Sequence, residues 1–235
     1  MEWGNCMGDR IVFITGASGG LGASVTKRFL ESGATVIGAS RKIAASEFPS
    51  PNFVAMTVDF TDDAEVRAAV ESIVGKYGRL DVLVHVLGGF AGGKPVSETD
   101  DATWNQMSAL NLNSAFYVFR AAIPHLRESG SGRLIAIGSL TATAPHAGLG
   151  AYVTFKSALS TLVQTIALEN RDAGLAANII LPGTMDTPAN RKVMPNAKSS
   201  QWLKTESVAE LAFFLSQEAA GHITGTAIPI DGQNG

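Results

Sequence analysis

"RIVFITGASGGLGASVTKRFLESGATVIGASRK", residues 10–42, decides how the chain is to be read. A short β-branched run (10–16) meets a glycine turn, a helical pattern beginning near Leu21 follows, and a second apolar run (34–40) closes the unit. That succession is a βαβ unit, the building block of a parallel sheet. Gly16, Gly20 and Gly22 have the spacing GxxxGxG. It differs from the tighter GxGxxG but makes the same physical sense. Glycines permit the sharp turn, let backbone N–H groups approach a pyrophosphate, and leave that anion at a helix N-terminus. The predicted phosphate cradle comprises Gly16, Ser18, Gly20, Leu21 and Gly22. A glycine turn without a ligand is the alternative, and its place directly after the first strand weighs against it.

Outward from this unit the pattern continues. Brief apolar runs recur at 53–59, 80–88, 132–139, 176–183 and 225–231, with helical patterns at 20–32, 62–77, 101–127, 151–172 and 206–217. Several runs are nearly continuous in hydrophobicity, as in a sheet covered on both faces. The expected fold is α/β, one doubly wound Rossmann-type domain over residues 1–235, with a seven-stranded parallel sheet and an N-terminal extension at 1–9. Two irregular stretches, 88–100 and 182–206, follow strands and should emerge at the carboxyl edge, where such sheets bind ligands. The second is read as a substrate loop or lid.

The 235 residues are 46% hydrophobic and 17% charged, and 18 basic against 21 acidic residues leave a formal charge of −3. No block of like charge exists, so the balance argues against nucleic-acid or anionic-membrane binding and for a small-molecule partner. Cys6, the one cysteine, cannot form an intramolecular disulfide, and no apolar run suits a signal or a membrane span, so a cytoplasmic protein is expected. The histidines at 85, 125, 146 and 222 form no ligand-spaced cluster, and no metal is expected.

The end of the second strand bears on which dinucleotide binds. A carboxylate there would accept hydrogen bonds from the ribose of NAD(H), whereas Ser40 followed by Arg41 suits the extra phosphate of NADP(H). NADP(H) is favoured over NAD(H), a solvated Arg41 being the alternative. Asp59 is a candidate acceptor for the adenine amino group, because Thr61 or Asp62 is better placed to cap the helix at 62–77.

With "TGASGGLG" (15–22), "GSLTATAPHAGLGAYVTFK" (138–156) and "LPGTMDT" (181–187) in this order, the chain resembles the short-chain dehydrogenase/reductase family from end to end. The resemblance implies a catalytic tetrad of Asn111, Ser139, Tyr152 and Lys156. It assigns the glycine turn and Gly88 to the cofactor, Asp59 to adenine, and Pro182, Gly183 and Thr187 to the nicotinamide side. It also implies a homotetramer, with a dimer as fallback, built on the helices at 101–127 and 151–172 and on "IDGQNG" (230–235). One departure is plain: where the family carries Asn-Asn-Ala-Gly, this chain has His85-Val86-Leu87-Gly88. His85 is read as structural.

The chemistry explains the tetrad. Reducing a carbonyl leaves a developing negative charge on oxygen, and a donor must neutralise it. A free phenol has a pKa of about 10, and a lysine ammonium nearby is expected to lower it, so that Tyr152 acts as acid in reduction and base in oxidation. Lys156 would also hold the nicotinamide ribose, Ser139 would donate to the substrate oxygen, and Asn111 would hold a water relaying protons. A narrower resemblance links "GGFAGG" (88–93), "DTPANRKVMPNA" (186–197) and Trp202 to dihydropteridine reductases, with Phe90 offering a face to a flat ring. Ser139 and the Ser40-Arg41 pair depart from that branch. The leading expectation is an NADP(H)-dependent oxidoreductase acting on a small ketone, 3-oxoacyl compound or alcohol. A pterin reductase and a non-catalytic dinucleotide sensor are the alternatives. Phe90, Thr141, His146, Met185, Met194 and Trp202 are the candidate substrate residues by loop position.

Overall fold

The computed structural model describes residues 7–232; Cys6 and the last three residues of "IDGQNG" lie outside them. Strands β1 (Ile11–Thr15), β2 (Thr35–Ser40), β3 (Phe53–Thr57), β4 (Val82–His85), β5 (Arg133–Ile137), β6 (Ala176–Pro182) and β7 (Ala227–Ile230) form one parallel sheet in the order β3-β2-β1-β4-β5-β6-β7. Along β1, Ile11 and Phe13 enter one core while Val12 and Ile14 enter the other. Both faces of the pleat are thus buried, which is why the strands read as unbroken apolar runs.

The first core is closed by α2 (Asp63–Tyr77), α4 (Ser114–Glu128) and α5 (Gly150–Glu169), the second by α1 (Gly20–Glu31) and α7 (Thr205–Ser216). Leu21, Val25 and Phe29, four residues apart on α1, make its buried stripe. Phe29 meets Phe213 of α7 edge-on at 5.6 Å, and Arg28 lies 3.5 Å over the Phe213 ring while pairing with Glu210 at 2.6 Å. Asp62 caps α2, its carboxylate accepting from the Ala64 and Glu65 N–H groups.

Two elements differ from expectation. The helical pattern at 101–127 is divided into α3 (Asp101–Ser108), a π turn (Ala109–Asn113) and α4. The stretch 182–206, read as irregular, contains α6 (Pro188–Val193), with Thr187 accepting from the Asn190 N–H at 3.2 Å and Pro188 in the first turn. β1 is flanked by β2 and β4, so the chain winds outward in opposite directions from this point and opens a crevice at the carboxyl ends of the strands. Among the described residues, no helix is long and apolar enough to cross a membrane.

Candidate active site

A cavity of about 920 Å³ occupies this crevice. Gly16, Ser18, Gly20, Leu21, Gly22, Ser40, Arg41, Asp59, Gly88 and Thr187 all line it, together with Lys42, which the sequence reading did not single out although it adjoins Arg41. Pro182 and Gly183 do not line it: Pro182 is buried at the end of β6, and Gly183 has the Asp231 carboxylate against its Cα. The turn requires its glycines. Gly16 has φ 71°, and a Cβ there would lie 3.0 Å from the Leu87 N; a Cβ on Gly22 would overlap the Gly16 carbonyl. The backbone is therefore bare where an anion would approach, at the start of α1, and the cavity fits a dinucleotide.

At the far end of the cavity Ser40 Oγ donates to the Ala39 carbonyl at 2.8 Å and accepts from the Ser18 N–H at 3.2 Å. Arg41 and Lys42 are exposed beside it. Asp59 Oδ1 accepts from the Thr61 N–H at 2.9 Å and from its hydroxyl at 2.7 Å. These bonds, and more weakly the Arg41 charge, hold its carboxyl below the usual range.

Lys156 and Asn111 converge on Gly88, and Ser139 meets the Tyr152 phenol. Tyr152 and Lys156 stand one turn apart on α5. Lys156 is buried, and its Nζ donates to the Ile137 carbonyl at 3.0 Å; burial pushes the amine down to about 8. A Cβ on Gly88 would lie 3.0 Å from both the Lys156 Nζ and the Asn111 Oδ1, so the glycine lets the two polar groups close round one point. Asn111 Oδ1 accepts from the Gly89 N–H at 3.1 Å, and its Nδ2 donates to the Gly89 carbonyl at 3.0 Å and the Met107 carbonyl at 3.1 Å. The last bond takes up the carbonyl four residues back, which an α-helical N–H would otherwise use, and here the helix widens into the π turn.

Ser139 is buried just beyond β5, its Oγ 2.8 Å from the Thr141 hydroxyl. Burial pushes the Tyr152 phenol up, while a hydrogen bond with Ser139 pulls it the other way. The expected downward pull of Lys156 is thus not what governs this phenol in the free protein; desolvation of the phenolate is the larger effect. His85 is wholly buried, with Nδ1 3.0 Å from the Thr15 hydroxyl and, among the described residues, no hydrogen-bond partner for Nε2. Burial and then the Lys156 charge push the imidazole down to about 3, so it stays neutral near pH 7.

The candidate substrate residues divide. Phe90 packs edge-on against the Tyr152 ring at 5.1 Å, Thr141 touches Ser139, and Met185 lines the cavity and bridges to Leu203. His146 is exposed, and of the six only Met185 lines the cavity.

The model of the short chain dehydrogenase family matches residues 10–198. The chain belongs to that family. This short-chain dehydrogenase is 34% identical over 243 residues to the 2,5-dichloro-2,5-cyclohexadiene-1,4-diol dehydrogenase LinX of Sphingobium indicum, with 97% of each chain covered. It superposes on ElxO with NADP bound at a TM-score of 0.88 and 27% identity, covering 94% of this chain and 96% of that one. It matches the 3-ketoacyl-(acyl-carrier-protein) reductase of Brucella melitensis complexed with NADH at 0.85 and 26%, covering 95% and 97%. The short-chain dehydrogenase is accordingly an NAD(P)-dependent oxidoreductase, its family and fold agreeing with the expectation from the motifs.

Proposed function

We propose that the protein moves a hydride between NADP(H) and a small carbonyl or secondary alcohol, with Tyr152 as the acid and base. The observation that carries this reading is the convergence of Ser139 on the Tyr152 phenol, and of Lys156 and Asn111 on Gly88, at the edge of a cavity with a glycine cradle. The glycine turn would hold the pyrophosphate, Arg41 and Lys42 the ribose phosphate, and Lys156 the nicotinamide ribose. Bound there, the dinucleotide supplies a hydride to the carbonyl carbon in reduction and accepts one in oxidation.

The side chains manage the proton. Ser139 donates a hydrogen bond to the substrate oxygen, and that bond strengthens as charge develops on it. Tyr152 gives its proton to this oxygen in reduction and takes it back in oxidation. Burial keeps the phenol protonated in the free protein. Its use as a base requires positive charge beside it, which Lys156, one turn away, carries below pH 8. Asn111, fixed by its paired bonds to Gly89, holds the proton path behind Lys156.

Exposed Trp104, Phe116 and Leu168 on α3, α4 and α5 support self-association through these helices, as a dimer or a tetramer. The name of the LinX relative supports an alcohol on a small carbon skeleton as substrate. Tyr152→Phe tests the catalytic reading against a dinucleotide sensor. NADPH oxidation with a ketone should fall by about 10²- to 10⁴-fold while NADPH binding is retained. Unchanged turnover would refute the role of the phenol.

A further inference from the structure

A second cavity, of about 600 Å³, lies at the opposite end of the sheet from the crevice. Its walls are the turns that lead into β5, β6 and β7, at 130–133, 171–175 and 218–224, so it sits at the amino ends of these parallel strands. It shares no residue with the dinucleotide cavity. Arg133 heads β5 and Ser139 lies beyond its tail, six residues on, a separation of about 20 Å along an extended chain. Arg133 lines this cavity at only 4% exposure, and among the described residues no carboxylate pairs with it. Its Nη1 donates to the Gly132 carbonyl at 2.9 Å, whereas Nε and Nη2 make only long bonds to the Gln217 carbonyl, at 3.4 and 3.5 Å. A guanidinium carries five N–H donors, so each Nη keeps one without an acceptor among the described residues. Burial, and then the charge of Arg10, pulls the proton affinity of Arg133 down, and Glu218 offsets this only in part. A cation held out of water is stabilised only by a counter-charge and matching acceptors.

The rest of the lining has the same bias. Arg171 is exposed at the rim, with no carboxylate partner among the described residues, and His222 lies on the turn before β7. Thr224 Oγ1 accepts from the Ala177 N–H at 3.1 Å, which leaves its own hydroxyl proton to donate. The Ser131 carbonyl is already taken by Arg10 at 2.8 Å, while no bond engages its hydroxyl among the described residues. Glu218 is the one carboxylate of the lining, and it is exposed. Gly221 leaves room beside the buried cation, since a Cβ there would lie 2.9 Å from the Arg133 Nη2. Donors and positive charge therefore outnumber acceptors. We propose that this cavity binds a small organic phosphate monoester, its phosphate held by Arg133 and Arg171 and by the Ser131 and Thr224 hydroxyls. A phosphate presents three acceptor oxygens in different directions, which suits donors arriving from three separate turns better than a flat carboxylate does. The volume is that of a site for a small organic ligand and leaves space for a carbon skeleton. The site takes no part in hydride transfer, and the proposal stands apart from that reading.

The test is calorimetric titration of the full chain with glycerol 2-phosphate, citrate and glycerol, in the presence of saturating NADP⁺ so that the glycine cradle is not available to the phosphate. Glycerol 2-phosphate should bind at one site per chain, more tightly than citrate, and glycerol should not bind. Arg171→Ala, an exposed substitution that leaves the core intact, should weaken glycerol 2-phosphate about tenfold. Arg133→Lys keeps the charge but lacks the planar fork and should weaken it by about as much. Glu218→Gln removes the opposing charge and should tighten binding by about two- to fivefold. Should Arg133→Lys lose its fold on thermal unfolding, the two exposed variants decide the matter. Absence of binding to the NADP⁺-saturated protein, or an affinity that neither Arg171→Ala nor Glu218→Gln alters, would overturn the proposal. Citrate binding more tightly than glycerol 2-phosphate would overturn the assignment of a phosphate.

Discussion

Replacing Lys156 by Met should stabilise the free protein below pH 8 while abolishing its activity. The amine is buried among α5, β5 and the β4 loop, and desolvation lowers it from 10.5 to about 8. Each unit corresponds to about 1.4 kcal/mol, so this burial costs the folded state about 3 kcal/mol where the lysine is charged. The variant forfeits the hydrogen bond to the Ile137 carbonyl, worth about 1–2 kcal/mol, and the net gain is about 1–2 kcal/mol, or roughly 3–8 °C in Tm. The sign follows from proton counts. Below pH 8 both folded and unfolded chains are protonated at Lys156, and the cost is complete. Between pH 8 and 10.5 the unfolded chain holds the proton that the folded chain has lost, so the stability of the unaltered protein rises with pH and the advantage of the variant shrinks. Urea unfolding of both proteins from pH 7 to 10.5 without dinucleotide measures the gap, with NADPH oxidation run alongside. A gap that stays constant, or widens towards high pH, would refute the assignment of a desolvated ammonium at this position.

Two further outcomes are expected. Arg41→Ala with Lys42→Ala should weaken NADPH binding by about 10²- to 10⁴-fold and leave NADH nearly unaffected, since charge-assisted bonds to a phosphate are worth about 1.5–3 kcal/mol each; equal losses for both dinucleotides, by fluorescence titration, would refute the phosphate reading. His85→Asn should resist acid better than the unaltered protein. The imidazole is held at about 3 when folded and 6.5 when unfolded, so stability present above pH 6.5 is lost as pH falls, by about 3 kcal/mol at pH 4. Urea unfolding at pH 7 and pH 4 checks this, and equal acid losses in the two proteins would sink it.

The sequence by itself determined the strand and helix order, because a sheet buried on both faces demands continuous apolar runs, and β1 shows this residue by residue. It also placed the glycine turn, since Gly16 and Gly22 answer local constraints of φ and close approach that no other residue satisfies. The spacing of Tyr152 and Lys156 made their shared face of α5 legible before any coordinates. Tertiary structure decided the rest. The π turn at Asn111 depends on a side-chain bond to Met107 that periodicity cannot register, and Lys42 entered the cavity only through the way β2 ends. Gly183 faces the Asp231 carboxylate, some fifty residues away in sequence, a contact that no local pattern encodes. The proton affinities of Tyr152, Lys156 and His85 follow from how many layers of side chain and backbone cover them. Burial and long-range contact are properties of the assembled fold, and a local pattern carries no measure of either.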